Sequence, residues 1–178
     1  MLKKVQFSGE IPTLTEIAAY HSDINLSLRS FFSPAPLPDG IRFAGYSRSE
    51  ILAELSDRAS ETDIRSTLVT LTALEGVFRT DYLQRVYRKK RDGVSRAFRE
   101  IHKTKGARAS LDEDIFETWK VNTTGGAVIL SEIRGAFKIR DWIAHGRYWV
   151  PKLGRAYEFD DVYQLAVTAI SAFPLLES

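Results

Sequence analysis

The spacing of apolar residues along this chain most restricts what it can fold into. Near the N-terminus these residues are separated alternately by three and four positions, which places them on one face of an amphipathic helix. That face comprises Leu14, Ile17, His21, Ile24, Leu28 and Phe31. Similar spacings recur in later segments, while no series of strand-like alternations and no internal repeat is present. The sequence therefore predicts an all-α fold, an up-and-down bundle of about five to seven helices.

Capping residues and helix breakers indicate where these helices begin and end. The prolines and glycine of "FFSPAPLPDG" end the first helix. Ser47 and Glu50 form a capping box that opens a second helix, and the similar segment Ser60–Asp63 predicts a separate start for the longest helix. The remaining predicted helices cover "VSRAFREIHK", the segment after Ser110, residues 126–146 and the segment after Asp160. We expect one domain over 1–178, with an N-terminal helix and Pro-rich loop over 1–45 and the bundle over 46–178.

Composition excludes several classes of protein. The chain has 178 residues, enough for one domain with a substantial core, and no apolar run of about eighteen residues that would cross a membrane. Its N-terminus lacks the apolar run of a secretory signal, and it contains no cysteine, which fits a cytoplasmic protein. The three histidines, His21, His102 and His145, are too scattered for a metal-ligand pattern, so we expect no metal or other cofactor. His21 lies on the apolar stripe and is predicted to be a hydrogen-bonded core or interface residue.

Net charge is only +2, but positive charge is concentrated between Arg85 and Arg108. This segment has ten lysines and arginines against Asp92 and Glu100, a local balance of +8. Clustered cations gain affinity for nucleic acid by releasing counterions, so the densest run is a candidate contact for RNA phosphates. The run comprises Arg88, Lys89, Lys90 and Arg91. The alternative is a solvated connection between two helices.

The stretch "FKIRDWIAHGRYW" places three ionisable groups in a segment rich in apolar residues. Spacing puts Arg140 on the apolar stripe of its helix, where a guanidinium needs an anionic partner or a wet crevice. Asp141 and His145 are four residues apart, so the carboxylate is expected to orient the imidazole and to favour its protonated form. Gly146 is expected to end the helix directly after the histidine.

This combination of side chains fits the chemistry of RNA cleavage. An imidazole that gains and loses a proton near neutrality can take the proton of a ribose 2′-hydroxyl or give one to the leaving oxygen. A guanidinium shaped for phosphate can stabilise the charged phosphorane, and no metal is needed. Because Arg140 and His145 point about 140° apart around the helix axis, a second chain or helix is expected to complete the site.

Arg140, four intervening residues and His145, with the polar Asp141 directly after the arginine, resemble the signature of the HEPN superfamily. Members of this superfamily are all-α domains, and many are metal-independent endoribonucleases of toxin–antitoxin and antiviral defence systems. The continuation "IAHGRYW" is similar to the helix end of many members, and the resemblance covers residues 60–172. It implies catalytic roles for Arg140 and His145, with Asp141 at a position where asparagine is frequent and where an acid would tune His145.

The resemblance implies an enzyme that cleaves RNA as a homodimer, whose two motif helices form a composite cleft, with an antitoxin or a defence-system protein as a further partner. A second interpretation is a non-catalytic HEPN-like module that binds nucleotide, RNA or a partner protein. A third is an unrelated helical scaffold in which Arg140, Asp141 and His145 form a structural cluster. Function depends on the site and not on the fold, so the sequence leaves these alternatives open.

Glu75 interrupts the apolar stripe of the longest helix, between Leu71 and Phe78. A buried carboxylate is costly unless it is paired, so we expect a cation beside it. The candidates are Arg134 and Arg140, on the helix that also carries His145. Pairing with Arg140 would let Glu75 aim the guanidinium into the cleft. The alternative is a rotated helix in which Glu75 meets water at the edge of the stripe.

Overall fold

A computed structural model describes residues 4–33 and 42–176, and over these residues the chain is helical without any β-strand. Six α-helices are present there: α1 (Leu14–Phe31), α2 (Arg48–Tyr87), α3 (Gly93–Lys105), α4 (Glu117–Asn122), α5 (Gly126–Ala144) and α6 (Phe159–Ala172). A 3-10 turn at Gly106–Arg108 and a π-helix at Leu111–Phe116 connect α3 to α4. The prediction of an all-α bundle with five to seven helices is confirmed. Most of the predicted Pro-rich loop, residues 34–41, lies outside the described residues.

Helix α2 is one continuous helix of 40 residues. It begins at the predicted capping box, where Ser47 Oγ accepts from the Glu50 amide and the Glu50 carboxylate accepts from the Ser47 amide at 2.7 Å. The predicted separate start at Ser60 is wrong, because Ser60 lies inside this helix. No glycine or proline interrupts the helix before Gly76, and extending a helix costs less than nucleating a new one. The local capping signal is therefore overridden.

The second half of α2 lies against most of the other helices and is largely buried. Phe78 is fully buried, and the centroid of its ring lies 5.1 Å from that of Phe116 and 5.5 Å from that of Phe173. The Trp119 ring also packs against Phe173, at 5.5 Å. These edge-on aromatic contacts join α2 to the π-helix, to α4 and to the segment after α6. None of the described helices is long and apolar enough to cross a membrane.

Helix α1 packs along α2 and also touches α6. Its one fully buried apolar residue among those described, Ile17, lies in a small cluster with Ala73 of α2 and Phe159 of α6. One turn further along, the His21 ring stacks on Phe159 at 3.9 Å, and its Nδ1 lies 3.1 Å from Ser66 Oγ. The prediction that His21 is a hydrogen-bonded core or interface residue is confirmed, since it packs between helices α1, α2 and α6.

Asp81 and Arg85, four residues apart on α2, form a buried ion pair. Arg85 Nε donates to both oxygens of Asp81, at 2.8 and 3.0 Å, and the Leu176 amide donates to the same carboxylate at 2.8 Å. Arg85 also donates to Asp92 at 3.2 Å, and its guanidinium lies 5.0 Å from the Trp119 ring centroid. Burial raises the pKa of Asp81, while the Leu176 amide and the Arg85 guanidinium oppose that rise. One pair thus connects α2 with α3, α4 and the C-terminal segment.

We predict that Asp81→Asn lowers the free energy of unfolding by about 3 kcal/mol, because it removes one partner of a buried pair and leaves the other charged. Chemical denaturation followed by circular dichroism measures this change. Glu100→Gln is the matched control, since Glu100 pairs with Lys103 in an exposed position where an ion pair contributes little. Equal stability of Asp81→Asn and Glu100→Gln would contradict the prediction.

Candidate functional site

The end of α5 is closed by a Schellman motif at the predicted glycine. His145 is the C-cap residue, and its amide donates to the Asp141 carbonyl at 3.0 Å. Gly146 has a φ of +82°, and the following amide of Arg147 donates back to the Trp142 carbonyl at 2.9 Å. A left-handed residue at this position favours glycine. His145 therefore lies directly at the point where the helix ends.

Arg140 points inward, as its place on the apolar stripe predicted. Its side chain is 26% exposed, and its Nη2 lies 3.2 Å from Glu75 Oε2. The guanidinium also lies 5.0 Å from the centroid of the Phe137 ring, within the range of a cation–π contact. Its Nε is buried and, among the described residues, has no hydrogen-bond partner. Arg140 is therefore held in place, and its Nε faces the Asp141 carboxylate at 3.4 Å without forming a hydrogen bond.

The Glu75 carboxylate lies between two guanidinium groups. One oxygen is in contact with Arg140, and the other accepts from Arg79 Nε at 2.7 Å. Arg79 in turn donates to the Ala109 carbonyl at 3.1 Å. The expected pairing of Glu75 with Arg140 is therefore present, whereas Arg134, the other cation considered, pairs with acids elsewhere. Arg79 was missed, although its spacing of four residues from Glu75 on one helix was a usable signal.

Arg140 lines a cleft of about 880 Å³ between α2, α5 and the π-helix. Five cations line this cleft: Arg79, Arg108, Arg134, Lys138 and Arg140. Asp112 and Asp141 are its two acidic lining residues within the described part of the chain. Burial lowers the pKa of Arg134, but its hydrogen bonds to Asp112 and Glu117 outweigh that effect and raise it. The cleft is therefore cationic, and Arg108 and Lys138 reach it through packing that no sequence pattern revealed.

The Asp141 carboxylate does not take the predicted position beside His145. Its Oδ1 lies 3.4 Å from Arg140 Nε, and no hydrogen bond or ion pair joins the described side chains of Asp141 and His145. His145 still donates its amide to the Asp141 carbonyl, but both side chains are exposed, and the Asp141 carboxylate lies beside Arg140. Asp141 instead forms an ion pair with the guanidinium of Arg140, the residue before it.

His145 is exposed and does not line the cleft that contains Arg140. Its nearest aromatic neighbour is Trp149, whose ring centroid is 6.3 Å away. Among the described residues its ring makes no hydrogen bond, so both ring nitrogens are available to a ligand or to another chain. Within one chain the two residues of the motif therefore face different surroundings, as their angular separation on the helix indicated.

The segment after His145 is fixed to α2 by an arginine. Arg147 adopts a left-handed backbone conformation, with a φ of +58°, and its guanidinium donates to both oxygens of Glu61 at 2.8 and 2.9 Å. These hydrogen bonds lower the pKa of Glu61. The bidentate pair holds a backbone conformation that costs energy for any residue but glycine. It leaves Tyr148 and Val150 exposed beside the histidine.

The basic run Arg88–Arg91 forms the turn between α2 and α3, and all four side chains are exposed. In the wider basic segment, Arg85 to Arg108, some cations are already paired with acids. Arg85 is buried in the ion pair with Asp81, and Lys105 pairs with Asp114 at 2.7 Å. Whether the run contacts RNA remains a prediction.

Among residues 4–33 and 42–176, no group of three or more histidine, cysteine, aspartate or glutamate side chains is placed to hold a metal ion. Comparison with protein-family models, with curated proteins and with solved structures found no match for this chain. The chemistry of the site itself is therefore the basis for assigning its function.

Proposed function

We propose that this protein is a metal-independent endoribonuclease of HEPN type that acts in a toxin–antitoxin or antiviral defence system. The observation that carries the proposal is the placement of Arg140. Its guanidinium is held by Glu75 and lines a cleft with four further cations. A phosphate group of RNA matches such a cleft in charge and in the geometry of its acceptors.

In the proposed reaction the ribose 2′-hydroxyl attacks the adjacent phosphorus atom, and the bond to the 5′-oxygen of the next nucleotide breaks. His145 takes the proton of the hydroxyl or gives one to the leaving oxygen. Arg140 stabilises the negative charge that develops on the phosphorane oxygens, which a fixed cation does without reorganising. The products are a 2′,3′-cyclic phosphate, or the 3′-phosphate that forms when the cyclic phosphate is hydrolysed, and a free 5′-hydroxyl.

A homodimer would supply the histidine that the cleft of one chain lacks. In a two-fold symmetric pair, the same surface of each copy meets the other, so two motif helices can approach each other and complete two sites. The exposed aromatic and aliphatic side chains of Tyr148 and Val150, next to His145, support an interface at this end of α5. In such a dimer, the Asp141 carboxylate would act more directly on the guanidinium of Arg140, which lies beside it, than on the imidazole of His145.

A second candidate function is supported by the position of His145 outside the cleft. Arg140 and its neighbouring cations are sufficient to bind a phosphate, so the chain would also serve as a non-catalytic module for nucleotide or RNA. In this role Arg140→Ala weakens RNA binding, His145→Ala leaves it unchanged, and no cleavage occurs.

We predict that the purified protein cleaves RNA in the presence of EDTA and that His145→Ala reduces the rate by at least about 100-fold, because a general acid–base group is lost. Cleavage of total RNA and identification of the 2′,3′-cyclic phosphate ends measure this. Lys152→Ala, an exposed change in the same segment, is the control. Cleavage that persists in His145→Ala, or that requires a divalent metal, would contradict the proposed mechanism.

A mixing experiment tests the dimer. If each site combines Arg140 of one protomer with His145 of the other, a mixture of Arg140→Ala and His145→Ala proteins regains cleavage, because each mixed dimer contains one intact site. Each variant alone remains inactive. If both residues act within one protomer, mixing restores nothing, and that result would contradict the composite site.

We predict that Glu75→Gln slows cleavage by about 10- to 100-fold while the affinity for RNA changes little, because the charge of Arg140 remains and only its position is lost. Single-turnover rates and binding titrations separate the two quantities. The matched control is Glu54→Gln, since Glu54 also lies on α2 beside two arginines, Arg42 and Arg58, with 22% of its side chain exposed against 19% for Glu75. Equal rates for the two variants would show that Glu75 does not position Arg140.

A further inference from the structure

The turn between α2 and α3 contains a second basic pocket, separate from the cleft of Arg140. Its volume is about 510 Å³. It is lined by Val86, Lys89, Arg91, Arg99, His102 and Lys103. Within the described part of the chain no carboxylate lines it, and neither Lys89 nor Arg91 forms an ion pair there. Four cations and an imidazole thus converge on one concave surface.

The backbone of this turn holds Lys89 in a conformation that favours glycine. Helix α2 ends in a Schellman motif, in which the Lys89 amide donates to the Val86 carbonyl and the Lys90 amide donates to the Arg85 carbonyl, both at 3.2 Å. Lys89 occupies the left-handed position, with a φ of +51°. A lysine at this position costs stability relative to glycine, and residues held in such conformations cluster at functional sites.

The imidazole of His102 provides an independent observation. The ring lies on α3, and its Nε2 is buried without a hydrogen-bond partner in the residues that the structure describes. Its ring is nearly perpendicular to that of Tyr87, at a ring-centroid distance of 5.9 Å, so the orientation of the imidazole is restrained. A buried polar nitrogen without a partner is costly unless a ligand or water satisfies it.

We propose that this pocket binds a phosphate group. Lys89, Arg91 and Arg99 supply positive charge, Lys103 adds a cation that is shared with Glu100, and His102 adds an imidazole whose buried Nε2 has no partner in the described structure. The backbone of an RNA strand and a free phosphate ion present the same oxygen acceptors to these side chains. Where the phosphate belongs to RNA, the inference deepens the proposed function by adding a contact outside the cleft.

The basic run divides into two pairs at this pocket, and this division provides a matched control. Lys89 and Arg91 line the pocket, whereas Arg88 and Lys90 do not, although all four are exposed. Lys89→Gln/Arg91→Gln and Arg88→Gln/Lys90→Gln remove the same charge from the same turn. A difference between these two double variants therefore reports the pocket and not the net charge.

The experiment titrates the full-length protein with inorganic phosphate and, separately, with a short single-stranded RNA whose 2′-hydroxyls are methylated so that it cannot be cleaved. Amide chemical shifts of residues 86–103 report binding at the turn. We expect the Lys89/Arg91 variant to lose at least about tenfold in affinity, and the Arg88/Lys90 variant to lose clearly less. A loss with phosphate alone identifies a free-ion site, and a loss with the methylated RNA identifies a backbone contact. Equal losses in both variants, or no shifts at the turn with either probe, would overturn the proposal.

A third variant separates binding from folding. Lys89→Gly relieves the left-handed strain, so we expect its unfolding midpoint to rise by about 2–4 °C while its affinity for the bound probe falls. A more stable variant with unchanged affinity would contradict a binding role for Lys89. Cleavage by His145→Ala and binding at the turn are independent readouts, so failure of the nuclease proposal leaves the result at this pocket interpretable.

Discussion

The ion pairs of α2 are the constraint on which the rest of the structure depends. Several acids of this helix hold arginines, and among them are Glu61, Glu75 and Asp81. The Asp81–Arg85 pair is the most buried of the three and connects α2 to the start of α3 and to the C-terminal segment. A buried pair of this kind adds less to stability than its Coulomb attraction indicates, but breaking it is expensive. The contribution of the Asp81–Arg85 pair is to determine which helices and segments pack against each other.

The other two acids fix the motif segment on both sides of the histidine. Glu75 holds Arg140 before it, and Glu61 holds Arg147 after it. His145 lies between these anchored arginines and is itself exposed. In the proposed nuclease, the fixed cation would stabilise developing charge and the accessible imidazole would transfer protons. Helix α2 therefore fixes the geometry of the candidate site, although Arg140 lies on α5 and His145 caps that helix.

The sequence predicted the helices well because apolar periodicity and the signals at helix ends act locally, as at Ser47 and Gly146. It failed at Ser60, where a local capping signal competed with continuous helix and lost. The pairing of Glu75 with Arg140 was foreseen because a carboxylate on an apolar stripe demands a cation. The predicted contact between Asp141 and His145 is absent, because spacing does not show that the neighbouring Arg140 competes for the Asp141 carboxylate.

Composition also overestimated how many cations of the basic segment, Arg85 to Arg108, are free to bind an anion. The reason applies to both proposed phosphate sites. A cation that already faces a carboxylate contributes little to an incoming anion, since binding must first compete with the existing pair. Arg85 and Lys105 are in this state, whereas Lys89 and Arg91 have no ion pair in the described structure. With a net charge of only +2, the chain has a weak overall field for attracting nucleic acid. Recognition of phosphate must therefore depend on concave places where cations converge. Among the described residues, Lys89 and Arg91 at the α2–α3 turn form no ion pair, and neither do Arg108 and Lys138 in the cleft of Arg140.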